Sequence, residues 1–161
     1  MMAVALEFRK AMRRYPTGVT VVTTVLDGKL KGFTANAFAS VSAEPPTILI
    51  CVNRTARTHA LISQAGRFCV NVLRLDQRPI AERFSKKDDA DPFASLPYSF
   101  ARTGAPVLDG VLSYFDCELA EEHSAATHTI FIGNVLACEA HDGAPLGYFD
   151  AGYRDFGCST T

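Results

Sequence analysis

GFTANAFASVS, residues 32–42, lies between two apolar runs, VTVVTTVL (19–26) and PTILICV (46–52). The flanking runs are rich in β-branched residues and read as buried strands. The stretch between them reads as neither a good strand nor a good helix, being mostly Ala, Ser, Thr and Asn. Two readings stand. In the plainer one it is an irregular strand with a bulge. In the other it is the path of a flat heteroaromatic ring with polar edges. Such a ring needs backbone close to its edge and small side chains along its length. Ala35, Ala37 and Ala39 leave room for it, and Thr34, Asn36, Ser40 and Ser42 can reach ring carbonyls and nitrogens.

The next segment, Cys51-Val52-Asn53-Arg54-Thr55-Ala56-Arg57-Thr58, runs from a strand end into a short helix expected over Thr58–Ala65. A helix start offers free backbone N–H groups and the positive end of the helix dipole. Thr55 and Thr58 add hydroxyls, and Arg54 and Arg57 add charge, so a phosphate monoester suits this turn. The plainer reading is an ordinary strand-to-helix turn with Thr58 as N-cap and Gly66 as C-terminal stop.

Working outward, Leu6–Tyr15 carries an apolar helical face ended by Pro16 and Gly18. Asp27-Gly28 predicts a hairpin turn, and Pro45-Pro46 is expected to stop strand pairing. RFCVNVL (67–73) reads as a strand. Asp76 is expected to cap a helix over QRPIAERFS (77–85), with Pro79 in its first turn. KKDDADPFASLP (86–97) reads as a surface loop. VLSYFDCELAEEHS (111–124) and THTIFIGNVLACEAH (127–141) predict a long antiparallel hairpin, and LGYF (146–149) a last short strand before GYRDFG. Six or seven strands with short connections and two or three short helices predict a mainly β, antiparallel barrel decorated with helices.

At 161 residues the chain is expected to be one domain, 1–161. A formal net charge of −1 gives no basic excess for nucleic acid or an anionic membrane. No apolar run reaches membrane-spanning length, and the N-terminus is charged too early for a signal peptide. A cytoplasmic protein is expected. The five cysteines form no CxxC and read as small buried hydrophobes in a reducing compartment. No HExxH, Walker A, GxGxxG or GxSxG is present, so zinc hydrolysis, a P-loop, a Rossmann fingerprint and a serine elbow all lack support, and no metal is expected.

These pieces, in this order, resemble the short-chain flavin reductases. That family supplies the reductase components of two-component flavin-dependent monooxygenases and shares an antiparallel, FMN-binding split β-barrel. FRKAMRRYPTGVTVVTT (8–24) resembles the opening helix and strand, and GFTANAFASVSAEPPTILICVNRTARTH (32–59) the flavin-binding core. FCVNVLRLDQRPIAERFS (68–85), GAPVLDGVLSYFDCEL (104–119) and HTIFIGNVLACE (128–139) resemble the segments that follow. The resemblance implies a homodimer with FMN or FAD near its interface, NADH or NADPH as electron donor, and a partner monooxygenase. Thr34, Ala35, Asn36 and Ala37 would contact the isoalloxazine or ribityl portion, with Ser40, Val41 and Ser42 nearby. Cys51, Val52, Asn53, Arg54, Thr55 and Thr58 would wrap the ribityl phosphate, Cys51 through its backbone, and Ser85 would approach from the phosphate side.

Many members of the family carry Gly-Asp-His at the start of the long strand. Here the triplet is Ala126-Thr127-His128, so His128 is kept as the nicotinamide contact and the acidic partner is a threonine. YFDAGYRDF (148–156) resembles a segment that closes over the pyridine nucleotide, with Tyr148, Tyr153 and Arg154 as contacts. No catalytic side chain is expected, because the flavin itself carries the chemistry. Two alternatives remain at this point: electrons passed directly to a small molecule or corrinoid, and a flavin-binding sensor or carrier without turnover.

Overall fold

The computed structural model describes residues 2–86 and 91–157. Helix α1 (Met2–Met12) leads through β1 (Thr17–Gly18) into a hairpin of β2 (Thr20–Leu26) and β3 (Lys29–Ala35). β4 (Phe38–Ala43) and β5 (Pro46–Asn53) form a second hairpin, followed by α2 (Arg57–Ala65) and β6 (Arg67–Val72). A 3-10 turn (Leu75–Gln77) opens α3 (Arg78–Ser85), and a small ribbon follows, β7 (Tyr98–Phe100) with β8 (Pro106–Leu108). The long hairpin β9 (Ser113–Ala125) and β10 (His128–Ala140) and the short pair β11 (Leu146–Phe149) and β12 (Gly152–Asp155) complete the chain.

Seven strands make one antiparallel sheet in the order β3-β2-β6-β9-β10-β5-β4, and a small sheet β1-β11-β12 packs at its end. The two edge strands, β3 and β4, are joined by only Asn36 and Ala37. A two-residue link cannot span a flat seven-stranded sheet, whose strands lie about 4.8 Å apart. The sheet therefore curls until its edges meet at that link, which leaves a slit where a closed barrel would have a hydrogen-bonded seam.

The inside of the curl is apolar: Val22, Ile50, Val52, Ile62, Phe68, Val70 and Phe131 form one buried cluster. A second cluster, with Val21, Leu73, Phe84, Phe93, Leu108 and Leu146, lies under α3 and the ribbon. The leading five residues of β2 are all buried. Its threonines are tolerated because each hydroxyl donates to a carbonyl: Thr20 to Ala35 at 2.8 Å, Thr24 to Arg67 at 2.8 Å, and Thr23 to Pro106. The curl also brings Phe68 against β10 at Gly133, where a register shift falls; a Cβ there would lie 2.6 Å from Phe68 Cζ.

The mainly β antiparallel architecture, the Asp27-Gly28 turn and the long hairpin stand as expected. Five local expectations need correction. Residues 32–42 follow the plainer reading, an irregular strand with a bulge, and only the view that the stretch is a poor strand is overturned: it is strand on both sides of the Asn36-Ala37 link, with the bulge between Ser40 and Ser42. Pro45-Pro46 does not stop pairing: the chain turns there, and Pro46 opens β5 opposite Ala43. Thr58 is not the N-cap of α2; Ala56 occupies that position and Thr58 lies buried in the first turn. Asp76 does not cap α3; it sits in the 3-10 turn and pairs with Arg74 at 3.1 Å. The segment at 86–97 is more than a surface loop, because Phe93 plugs into the core edge-on to Phe84, centroids 5.1 Å apart; residues 87–90 of it lie outside the described residues. β1, β4, β7, β8 and β12 are short or irregular enough to escape a periodicity reading.

Candidate functional site

Two cavities that share a lining residue lie along β3 and together form a groove. Thr34 and Ala35 at the end of β3 and Asn36 in the link line a cavity of about 220 Å³ together with Val19, Ser85, Tyr148 and Tyr153. Ser85, the last residue of α3, also lines an adjoining cavity of about 280 Å³. That second cavity is walled by Thr55, Ala56, Arg57 and Thr58 from the start of α2, by Lys31 and Lys86, and by Phe33 and Phe84. The groove thus runs from a small-residue floor under two tyrosines to a helix start ringed by three cations. One residue, Ser85, lies on both.

The two ends differ in which donors they leave uncommitted. Asn53 Oδ1 accepts both the Thr55 amide and the Thr55 hydroxyl, each at 2.9 Å, and Asn53 O accepts the Ala56 amide at 2.9 Å. Asn53 therefore shapes the turn, and Thr55's donors are already used. Ser85 Oγ donates to Glu82 O at 2.7 Å. Thr58 is different. It is 7% exposed, and among the described residues its hydroxyl has no hydrogen-bond partner. The first-turn amides of Arg57 and Thr58 also lack an intrahelical acceptor. An anion in the second cavity would meet these donors and the positive end of α2.

At the ring end Thr34 Oγ1 donates to Ala81 O at 2.6 Å, so it fastens β3 to α3 and offers a ligand only its lone pairs. Asn36 is exposed and also lines two further cavities, one of them beneath α1 with Phe8, Met12, Ala37 and Phe149. Thr17, absent from the expected set, lines both of those cavities, and its buried hydroxyl has no partner within the described chain. The rings of Tyr148 and Tyr153 meet at 69°, centroids 5.8 Å apart. Burial raises the Tyr153 phenol above its ordinary value, Glu82 and Tyr148 add to the rise, and the Arg78 guanidinium over its ring opposes it. The phenol therefore stays protonated at neutral pH.

The groove does not gather every expected residue. Val52 is 1% exposed and belongs to the inner core. The Cys51 amide donates to Ala37 O at 3.0 Å, and burial raises its thiol, which stays protonated. Ser40, Val41 and Ser42 lie on the exposed edge strand β4, and none lines either cavity of the groove. The Arg54 guanidinium donates to Ala126 O. Arg154 folds back on its own strand, donating to Tyr153 O at 2.9 Å. His128 pairs with Asn53 beside the anion turn, its Nδ1 2.9 Å from Thr127 Oγ1, and lines neither cavity that holds Tyr148. Within one chain the two groups expected to meet nicotinamide are thus apart. Lys31, Lys86, Val19 and Thr17 escaped the sequence reading. The lysines carry no local signal, because they come from separate elements that meet only when the sheet curls.

The curled antiparallel sheet thus carries a tyrosine-lined cavity beside a cationic helix start. The family described as "Flavin reductase like domain" matches residues 12–157, and the chain belongs to it. A flavin reductase of Pseudomonas putida is 39% identical over 152 residues, covering 92% of this chain and 88% of its own. The reductase subunit HsaB of a flavin-dependent monooxygenase from Rhodococcus jostii is 37% identical, over 91% of this chain and 75% of its own. The solved structure of the Streptomyces globisporus NADH:FAD oxidoreductase SgcE6, in complex with NAD and FAD fragments, superposes with a TM-score of 0.90. It is 30% identical, over 98% of this chain and 95% of that one.

Proposed function

We propose that this chain transfers hydride from NADH to FMN or FAD and supplies the reduced flavin to a partner monooxygenase. The observation that carries this reading is a pair of cavities that share Ser85, one beneath Tyr148 and Tyr153 and the other at the start of α2. When bound, the flavin accepts the hydride and passes its electrons on. The chain's own work is binding and orientation. Thr58, the first-turn amides of α2 and the cations Lys31, Arg57 and Lys86 hold the phosphate end. Ala35 and Asn36 bring backbone to the ring's edge, and Tyr148 and Tyr153 wall off water. His128 and Thr127 serve the nicotinamide, the threonine hydroxyl fixing the imidazole where other members use a carboxylate.

A homodimer completes the reading. α1 buries none of its residues within the chain, and Val4, Leu6, Phe8 and Met12 are 48–73% exposed. A second copy over this apolar face would shelter it and roof the cavity beneath α1. Among the described residues no helix is long and apolar enough to cross a membrane, and we place the protein in the cytoplasm.

The test mixes purified protein with NADH and follows nicotinamide absorbance as FMN or FAD is added. Turnover that rises with added flavin is the expected result. Protein that binds flavin yet never oxidises NADH would refute the assignment.

A further inference from the structure

The turn after β5 and the tip of the β9–β10 hairpin are tied together at three points. The Arg54 amide donates to Thr127 O at 3.0 Å, and the Arg54 guanidinium donates to Ala126 O. His59 Nε2, one turn into α2, lies 2.7 Å from Thr129 Oγ1. Thr129 is 4% exposed, and the half-buried His59 ring sits edge-on to Phe131 with centroids 5.2 Å apart, so this third tie is partly shielded from water.

The ties do something the strand ladder cannot. Backbone pairing of β5 with β10 ends at Asn53 opposite His128. Beyond that pair the chain leaves the sheet on both sides, into the anion turn and into the hairpin tip. Ala126 at the tip has φ 50°, which turns its carbonyl out of the ladder and leaves it needing a donor. Arg54 supplies that donor through its guanidinium. Asn53 meanwhile holds Thr55, and Thr127 Oγ1 holds His128 Nδ1 at 2.9 Å. The phosphate-side and nicotinamide-side residues thus hang on one hydrogen-bonded unit.

We propose that Arg54 and His59 are positioning residues that join the anion-holding turn to the His128-bearing hairpin tip, so that flavin bound at one end sets the donor site at the other. The proposal rests on the reading of the site given above. Its test uses two measurements on Arg54→Ala, Arg54→Lys, His59→Ala and His59→Gln. The first is amide hydrogen exchange of the flavin-free protein. Arg54→Ala is expected to speed exchange at 54–58 and at 126–129 together, by roughly tenfold. The second is kinetic: Arg54→Ala and His59→Ala should raise the KM for NADH at saturating flavin by roughly three- to tenfold with little change in kcat. His59→Gln should restore it to within about twofold, because an amide can replace the ring nitrogen as Thr129's partner. Combining Arg54→Ala with His128→Ala should add nothing further to that KM.

The opposite pattern overturns the proposal. If Arg54 were a phosphate ligand, Arg54→Ala would weaken FMN but not riboflavin, Arg54→Lys would rescue it, and exchange at 126–129 would not move. Wild-type protein that binds no FMN would remove the site reading and the proposal with it. That outcome is distinct from wild-type binding combined with a phosphate-only defect in the Arg54 variants, which sinks the proposal alone.

Discussion

Thr58→Val is the sharpest probe of the anion turn. The two side chains have nearly the same shape, and Thr58 is 7% exposed with no hydrogen-bond partner for its hydroxyl among the described residues. Valine therefore fills the same space and breaks nothing inside the chain, so thermal stability should change little. What is lost is one hydrogen bond to a charged acceptor, a contact that contributes about 1.5–3 kcal/mol. The dissociation constant for FMN should rise about 10- to 150-fold. Riboflavin, which has no phosphate, is the internal control and should bind the variant as it binds the parent. Thr55→Val makes the contrast: its amide and hydroxyl already serve Asn53 at 2.9 Å, so it should loosen the turn and cost stability as well as affinity. The assay is quenching of flavin fluorescence at fixed ionic strength. An FMN affinity for Thr58→Val equal to the parent's, or an equal loss for riboflavin, would show that the anion lies elsewhere.

His128→Ala should raise the KM for NADH more than the KM for flavin in steady-state assays; the reverse ordering would remove it from the nicotinamide side. Gly133→Ala would place a Cβ 2.6 Å from Phe68 Cζ and 2.8 Å from Cys117 Cβ, and should cost about 1–3 kcal/mol in urea denaturation. Burial pushes the Cys117 thiol from its ordinary 9.0 up to about 12, with Asp116 and Cys138 adding to the rise. A thiol whose folded value is raised contributes stability that is full below about pH 9 and is lost as pH rises toward 12. Chemical denaturation across that window should show the decline, and Cys117→Ala should make it shallower, the buried Cys69 thiol contributing the same way. At pH 8 a thiol reagent should label exposed Cys138 quickly in the native protein and leave Cys69 and Cys117 unmodified until it unfolds.

The antiparallel β class was legible in the chain because β-branched runs, the Asp27-Gly28 turn and the alternation along 113–140 are local signals. The turn at 53–58 was legible for the same reason, since a strand end followed by threonines and a helix is contiguous in sequence. Capping was misread. Thr58 has the right chemistry for an N-cap, but it lies buried in the first turn beside the cavity, and Ala56 takes the cap position instead. The contact of Arg54 with the Ala126 carbonyl could not be read locally, because the two lie 72 residues apart.

Sequence by itself determined the strands β2, β5, β6, β9 and β10, and where small side chains cluster, since both follow from side-chain size and period. Tertiary structure alone decided that the sheet curls until β3 and β4 meet, that Lys31, Thr58, Ser85 and Lys86 converge on one cavity, and that His128 stands beside Asn53 rather than Tyr148. The physical reason is that a hydroxyl or an ammonium has no meaning as a ligand until its other partners are known. Those partners are brought by the fold from elements far apart along the chain.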